Sequence, residues 1–278
     1  MMQVHFKTIL IPIDFSINSE VAVSKALELT DANEVCIYLL HVCKNAALNG
    51  QFAGLKSKQE RNVGHMLQEL QEKIKTRLDT ATVYCKVVTA PSVEAAIVNM
   101  AKMITPDLIV IGKTSNHSLL TFLNTVVPSV ISNKTGTAVL TVKPGCLHQK
   151  IKNVVVPVNE QLPLNKMEVI KALCRKSRIH IFLVTFIDEA HVPQNFSASS
   201  LLKFYQWLRL SLHCQAEYAV LHGGNKAKAI LAFAEQNKAD VLLLHSGSET
   251  RSGWLGQYIS DLLPRHSKVQ VLTVCPTS

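Results

Sequence analysis

The apolar positions of this chain fall into short runs separated by stretches of helical spacing, and the order of the runs repeats. The first run, Lys7 to Asp14 (KTILIPID), is β-branched and ends in a proline and a carboxylate, which predicts a strand. Ser19 to Leu29 follows with Val21, Val23, Ala26 and Leu27 on one helical face. Val35 to Val42 (VCIYLLHV) reads as a fully buried strand, the kind that belongs to parallel sheets covered on both faces. After a polar loop over Lys44 to Gly54, Met66, Leu67, Leu70, Ile74 and Leu78 mark a long amphipathic helix from Leu55 to Leu78. Val83 to Val88 predicts a third strand. Pro91 and Ser92 then open a helix through Ala95, Ala96, Ile97 and Met100, with the proline suited to the first turn.

The next stretch, Asp107 to Thr125 (DLIVIGKTSNHSLLTFLNT), reads strand, turn, helix. Leu108 to Ile111 stops at Gly112, and Leu119, Leu120, Phe122 and Leu123 resume at helical spacing. In an open α/β sheet such a turn lies at the carboxyl edge, where helix N-termini attract anions and ligands bind. The helix continues through Val130 and Ile131 to a closing strand, Thr137 to Val142 (TAVLTV), and Pro144 and Gly145 break the pattern.

From Lys152 the order restarts. KNVVVPVN (Lys152 to Asn159) repeats KTILIPID, Ile179 to Phe186 answers Val35 to Val42, and Ala216 to Leu221 answers the third strand. Asn225 to Phe233 matches Ser92 to Met100. ADVLLLH matches PDLIVIG, and Val269 to Val274 (VQVLTV) echoes TAVLTV. A fixed order with drifting offsets is the mark of a duplicated domain. The expected fold is α/β: two doubly wound five-stranded parallel-sheet domains in tandem, residues 1–146 and 147–278.

Composition narrows the function classes. With 278 residues, 47% hydrophobic and 18% charged, the chain is long enough for two domains and is that of a soluble globular protein. No apolar run reaches the ~18 residues of a membrane span, and the N-terminus, with Pro12 and Asp14 in its apolar segment, does not read as a secretory signal. Seven cysteines without a C-x-x-C pair predict free thiols and a cytoplasmic location. The net charge of +9 divides into +3 for residues 1–146 (14 basic against 11 acidic side chains) and +6 for the remainder. Its densest groups, Lys150/Lys152 and Lys171/Arg175/Lys176/Arg178, read as solvated faces. They form no basic stripe, so neither nucleic acid nor membrane is an expected partner.

Candidate chemistry is sparse. Gly112-Lys113-Thr114 ends like a phosphate-binding G-x4-G-K-[ST] loop, but Asp107 stands where its first glycine belongs, so Lys113 and His117 read as exposed loop residues. His213-Cys214, His222 and His245 have no metal-ligand spacing, and no metal is expected. No G-x-S-x-G elbow occurs. Trp207 and Trp254 read as core or interface.

Two repeats that each begin with an apolar run, Pro-x-Asp/Asn, and close with D-[LV]-[IL]-[VL]-[IL]-x, a polar turn, a helix and a V-L-T-V strand resemble a tandem universal stress protein. That resemblance implies a Rossmann-like, adenine-nucleotide α-hydrolase-like fold. It also implies ATP as the cofactor of members that carry G-x2-G-x9-G-[ST] after the fourth strand. Here Gly112 matches the first glycine and Ser115 stands at the second. The Gly-[ST] pair, which in the family caps the next helix, falls on Asn124-Thr125. In the second half the positions fall on His245, Ser248 and either Gly256-Gln257 or Gln257-Tyr258. A Cβ at the second position narrows the space for a phosphate. Carried over to the first half, the nucleoside-facing residues are Pro12, Ile13, Asp14 and Val42. The phosphate-side residues are Ile111, Gly112, Ser115, Asn116, Asn124, Thr125 and Val126. The family acid matched by Asp14 becomes Asn159 in the second half. The resemblance implies a stress-response binding protein with degenerate nucleotide loops and without a catalytic centre, its halves packed as a pseudo-dimer through the closing strands. ATP binding or slow hydrolysis in the first half, and a ligand-free scaffold, are the alternatives. A homodimer and an unidentified regulatory protein are the expected partners.

Overall fold

A computed structural model describes residues 6–30, 34–44, 53–113, 122–158, 164–176, 178–187, 198–212, 214–247, 259–264 and 266–275. The first half runs β1 (Thr8–Pro12), α1 (Ile17–Leu29), β2 (Val35–Lys44), α2 (Ala53–Arg77), β3 (Ala81–Ala90), α3 (Val93–Ile104), β4 (Leu108–Gly112), α4 (Pro128–Thr135) and β5 (Ala138–Val142). The second runs β6 (Asn153–Pro157), α5 (Leu164–Lys176), β7 (His180–Ile187), α6 (Ala198–Trp207), β8 (Gln215–His222), α7 (Lys226–Gln236), β9 (Val241–His245), α8 (Ile259–Leu262) and β10 (Gln270–Val274). The ten strands form one sheet in the order β3-β2-β1-β4-β5-β10-β9-β6-β7-β8. Each half is parallel throughout, as the alternation of strands and helices predicts. The seam between them is antiparallel, with Leu272 opposite Leu140.

The repeat extends to individual hydrogen bonds. Ile13 N donates to Leu40 O and Val158 N to Val184 O, both at 2.8 Å; Lys113 N reaches Val142 O at 2.9 Å, and Ser246 N reaches Val274 O at 2.8 Å. The aspartate that opens each D-[LV] run ties the amino end of the sheet. Asp107 Oδ2 accepts from the amides of Lys7 and Thr8 at 2.9 and 2.8 Å. Asp240 Oδ2 accepts from those of Lys152 and Asn153, both at 2.8 Å. The repeated acid therefore satisfies strand amides that no neighbouring strand reaches, and it lies at the edge opposite the ligand edge.

Strand alternation divides the core. Ile9 and Ile11 face one side with Val154 and Val156, and there a single cluster runs across both halves beneath α1, α2, α5 and α6. Leu10 and Val155 face the other side, where two separate clusters lie under α3 and α4 and under α7 and α8. The seam is thus a continuous core on one face only.

Three details differ from the sequence expectation. Strands β2 and β3 are ten residues each, because they pair along their whole length, from Val35 opposite Ala81 to Lys44 opposite Ala90. Pro91 lies outside α3. Ser92 is the N-cap, its hydroxyl accepting from Ala95 N at 3.1 Å, and Asn225 caps α7 in the same way. Lys113 is buried, not an exposed loop residue. It follows the last residue of β4, and its amide continues the ladder to Val142. Among the described residues no helix is long and apolar enough to cross a membrane.

Candidate functional site

In each half the strand order reverses between the first and fourth strands, β1/β4 and β6/β9. The crevice at the carboxyl ends of such a pair is where open α/β sheets bind ligands. In the first half the chain leaves β1 through Ile13 and Asp14 and turns at Phe15, which adopts φ +59°. A non-glycine residue there carries backbone strain. The turn is held by Asp14 Oδ1, which accepts from Ser16 N at 3.1 Å and Ser16 Oγ at 2.5 Å. Ser16 in turn caps α1. The other carboxylate oxygen, Asp14 Oδ2, is buried and meets no hydrogen-bond partner.

His41, a polar residue inside an apolar run, packs its ring 5.1 Å from that of Phe15. Its Nδ1 lies 2.8 Å from Ile13 O, so Nδ1 carries the proton. Burial holds the imidazole below its ordinary value, against the opposing pull of that hydrogen bond and of the Asp14 charge. His41 is the residue that sequence reasoning missed. Its signal was one imidazole in VCIYLLHV, which a strand pattern absorbs without comment.

The other expected contacts divide by chemistry. The side chains of Ile13, Val42, Ile111 and Val126 are buried in core clusters. The Ile13 amide and carbonyl are already engaged with Leu40 and His41. Pro12 closes β1 beside Leu40. Thr125 is exposed and ends a 3-10 turn, Phe122–Thr125. The next helix, α4, starts at Pro128 with Val127 as its N-cap residue and no side-chain cap bond there, because a proline at the first helical position supplies the start without one. Ser115 and Asn116 lie outside the described residues.

Gly112 ends β4, and its α-carbon lies against the start of α1. A Cβ there would stand 1.9 Å from Asn18 O and 2.8 Å from Ser19 N. The retained glycine is therefore demanded by helix–strand packing, whatever it does for a ligand.

At the same register in the second half stands His245, and α5 presents Lys166. The Lys166 ammonium is fully buried and donates to Pro157 O at 2.5 Å. Burial, and secondarily the charge of Lys226, pull Lys166 down to about 7. His245 is pulled down to about 4 by burial and by Lys166, and its Nε2 is buried without a partner. Where the first half brings a carboxylate and a bare glycine together, the second packs two basic side chains. Among the described residues no three His, Cys, Asp or Glu side chains gather as a metal would need.

Two five-stranded parallel halves of one sheet, each with a crevice at its strand-order reversal, define a Rossmann-like α/β protein built on a repeat. The profile described as "Universal stress protein family" matches residues 5–143, half of the chain, and the chain belongs to that family. No curated protein matches it in sequence. Among solved structures, it is similar over 99% of both chains to a universal stress protein from Archaeoglobus fulgidus DSM 4304, with a TM-score of 0.71 and 16% identity. A putative universal stress protein from Pseudomonas aeruginosa UCBPP-PA14 aligns with 98% of this chain and 94% of its own, with a TM-score of 0.57 and 13% identity. At such identities the likeness is one of fold.

Proposed function

We propose that the protein is a non-catalytic, cytoplasmic stress-response binding protein made of two universal stress protein domains, residues 1–146 and 147–278. Its ligand-binding half is the first, and it recognises the nucleoside end of an adenine nucleotide more than the triphosphate. The observation that carries this reading is Asp14 Oδ2. A buried carboxylate oxygen without a partner costs free energy, and a ribose hydroxyl is a donor of the right kind to offset it. On the phosphate side, Ser115 replaces a glycine in sequence and Gly112 is occupied by α1. The second half, with Lys166 and His245 packed at the equivalent place, takes no nucleotide.

The test is calorimetric titration with adenosine, AMP and ATP–Mg²⁺. Adenosine and ATP should bind within a few-fold of each other, and Asp14→Asn should weaken both by about 10-fold or more. ATP binding much tighter than adenosine, with turnover, would establish the nucleotide-hydrolysing alternative. The absence of heat and of thermal shift with all three would establish a ligand-free scaffold, the reading that the Gly112–Asn18 packing favours.

A further inference from the structure

The second crevice carries the opposite charge pattern to the first. Asp14 of the first half becomes Asn159 in the second. Helices α1 and α3 each have an acid in the first turn, Glu20 and Glu94. Their counterparts α5 and α7 have none there, and carry Lys166 and Lys226 instead. The amino end of a helix is itself partly positive, so these lysines add to a positive field at the carboxyl edge of the sheet.

Sheet order sets Lys166 over His245. Strand β9 lies between β10 and β6. Asn165 Nδ2 donates to Cys275 O, just past β10, at 2.7 Å, and Lys166 Nζ donates to Pro157 O, at the end of β6, at 2.5 Å. The first turn of α5 therefore straddles the carboxyl end of β9, whose last residue is His245. Alternation from Val241 and Leu243, which face the core under α5, turns the imidazole to that same side. In the first half the equivalent junction is a direct contact, with Asn18 and Ser19 of α1 against Gly112.

The donors at this junction are not used up. An ammonium has three N–H groups, and buried Lys166 has one acceptor among the described residues, the Pro157 carbonyl. His245 Nε2 is buried and has no partner among them. The charge acting on Lys166 is that of another cation, Lys226. A buried cation without a counter-ion is a cost to the fold, and an anion bound beside it offsets that cost.

We propose that the second crevice is a binding site for a small inorganic oxyanion of the phosphate or sulfate kind, held between Lys166 Nζ and His245 Nε2 within the field of Lys226. His245 donates through Nε2, and Lys166 through the N–H groups that Pro157 leaves unused. An imidazole where the first half has a bare glycine limits the site to a small ion. The inference concerns the half that takes no nucleotide and stands apart from the Asp14 reading.

The test is calorimetric titration of the full-length protein with sodium phosphate and with sodium sulfate, against sodium chloride at matched ionic strength. Phosphate should bind at a single site per chain, sulfate should compete for it, and chloride should be silent. Sulfate does not titrate near neutrality. At pH 8 its binding should therefore take up about one proton, as the anion returns Lys166 from its lowered value of about 7 to the ammonium. Lys166→Met should weaken both anions by about 10-fold or more and abolish the proton uptake. His245→Ala should weaken them by a smaller factor and keep the uptake. Asp14→Asn should leave anion binding unchanged, which separates a failure here from a failure of the nucleoside reading. The proposal is overturned if phosphate and sulfate give no more heat than chloride, if Lys166→Met binds them as the wild type does, or if AMP displaces phosphate from the Asp14→Asn protein. The first of these outcomes needs the wild type alone, so it decides the matter even where a variant fails to fold.

Discussion

Gly112 and Asn18 are in backbone contact across the first crevice, so close that a Cβ on Gly112 would stand 1.9 Å from the Asn18 carbonyl oxygen. Neither backbone can yield without moving α1 off β4. Gly112→Ala is therefore expected to destabilise the fold by about 3 kcal/mol or more, read as a fall in urea midpoint. Gly64, in α2 with open space where its Cβ would go, should behave oppositely, with Gly64→Ala gaining about 0.5–1 kcal/mol. Equal effects at the two positions would contradict the packing. Loss of ligand binding in a Gly112 variant would report unfolding, and Asp14 is the sounder probe.

The paired aspartates make a second prediction. Asp240 is buried, takes two strand amides on Oδ2, and takes Gln149 Nε2 on Oδ1 at 2.7 Å. Asp107 makes the same two amide bonds in a more exposed setting. Removing either leaves two amides at the sheet's amino end to find water, which is harder at the buried site. Asp240→Ala should cost about 3 kcal/mol and Asp107→Ala about 1–2 kcal/mol, with ligand affinity unchanged because both lie at the opposite edge from Asp14. A change in affinity without loss of stability would refute the structural role.

These residues show what the sequence makes legible. Asp107 and Asp240 stand out because the chain states the pattern twice, and strand alternation follows from Ile9-Leu10-Ile11 and Val154-Val155-Val156 sorting to opposite faces. That the halves meet through their two V-L-T-V strands was an implication of the family resemblance, and the antiparallel direction of the seam is shown only by the ladder that sets Leu272 opposite Leu140. Gly112 was legible as an invitation to a phosphate, yet its neighbour is Asn18, nearly a hundred residues earlier. His41, Lys166 and His245 were harder still. Whether a polar side chain inside an apolar pattern is solvated or buried depends on which distant element covers it, and no local period encodes that.

Lys166 yields the pH dependence. Its folded value of about 7 lies below the ~10.4 of an unfolded lysine. Between those values the unfolded chain binds a proton that the folded chain does not, so stability rises with pH across that window. Below about 7 both states are protonated and the whole penalty stands. Lys166→Met removes it at the cost of one hydrogen bond to Pro157. The variant should therefore be more stable by ~1–3 kcal/mol at pH 7 and below, and the gain should shrink towards pH 10. His245, lowered to about 4, acts in the same sense in acid. Its penalty develops as pH falls from about 6.5, and His245→Asn should flatten the acid limb of a denaturation series. A gain for Lys166→Met that is uniform from pH 6 to 10 would refute the buried-ammonium account.

The last prediction concerns how the halves are joined. The chain after β5 is fastened on both sides. Lys143 Nζ donates to Leu263 O, Cys146 Sγ to the carbonyls of Ser267 and Lys268, and Lys25 Nζ of α1 to Gln149 O. Gly145 lies so close to the strand approach that a Cβ would stand 2.3 Å from His266 O. With a core shared across the seam on one face, the wild-type halves should unfold together. Both tryptophans, Trp207 and Trp254, belong to the second half, so their fluorescence reports that half while far-UV dichroism reports the whole. The two urea curves should coincide for the wild type. Gly145→Ala forces the linker away from His266 and should lower the fluorescence midpoint by an amount equivalent to about 2–3 kcal/mol, with dichroism lagging behind as the first half outlasts the second. Curves that stay superimposed in the variant would mean that the β5–β10 ladder couples the halves without the linker.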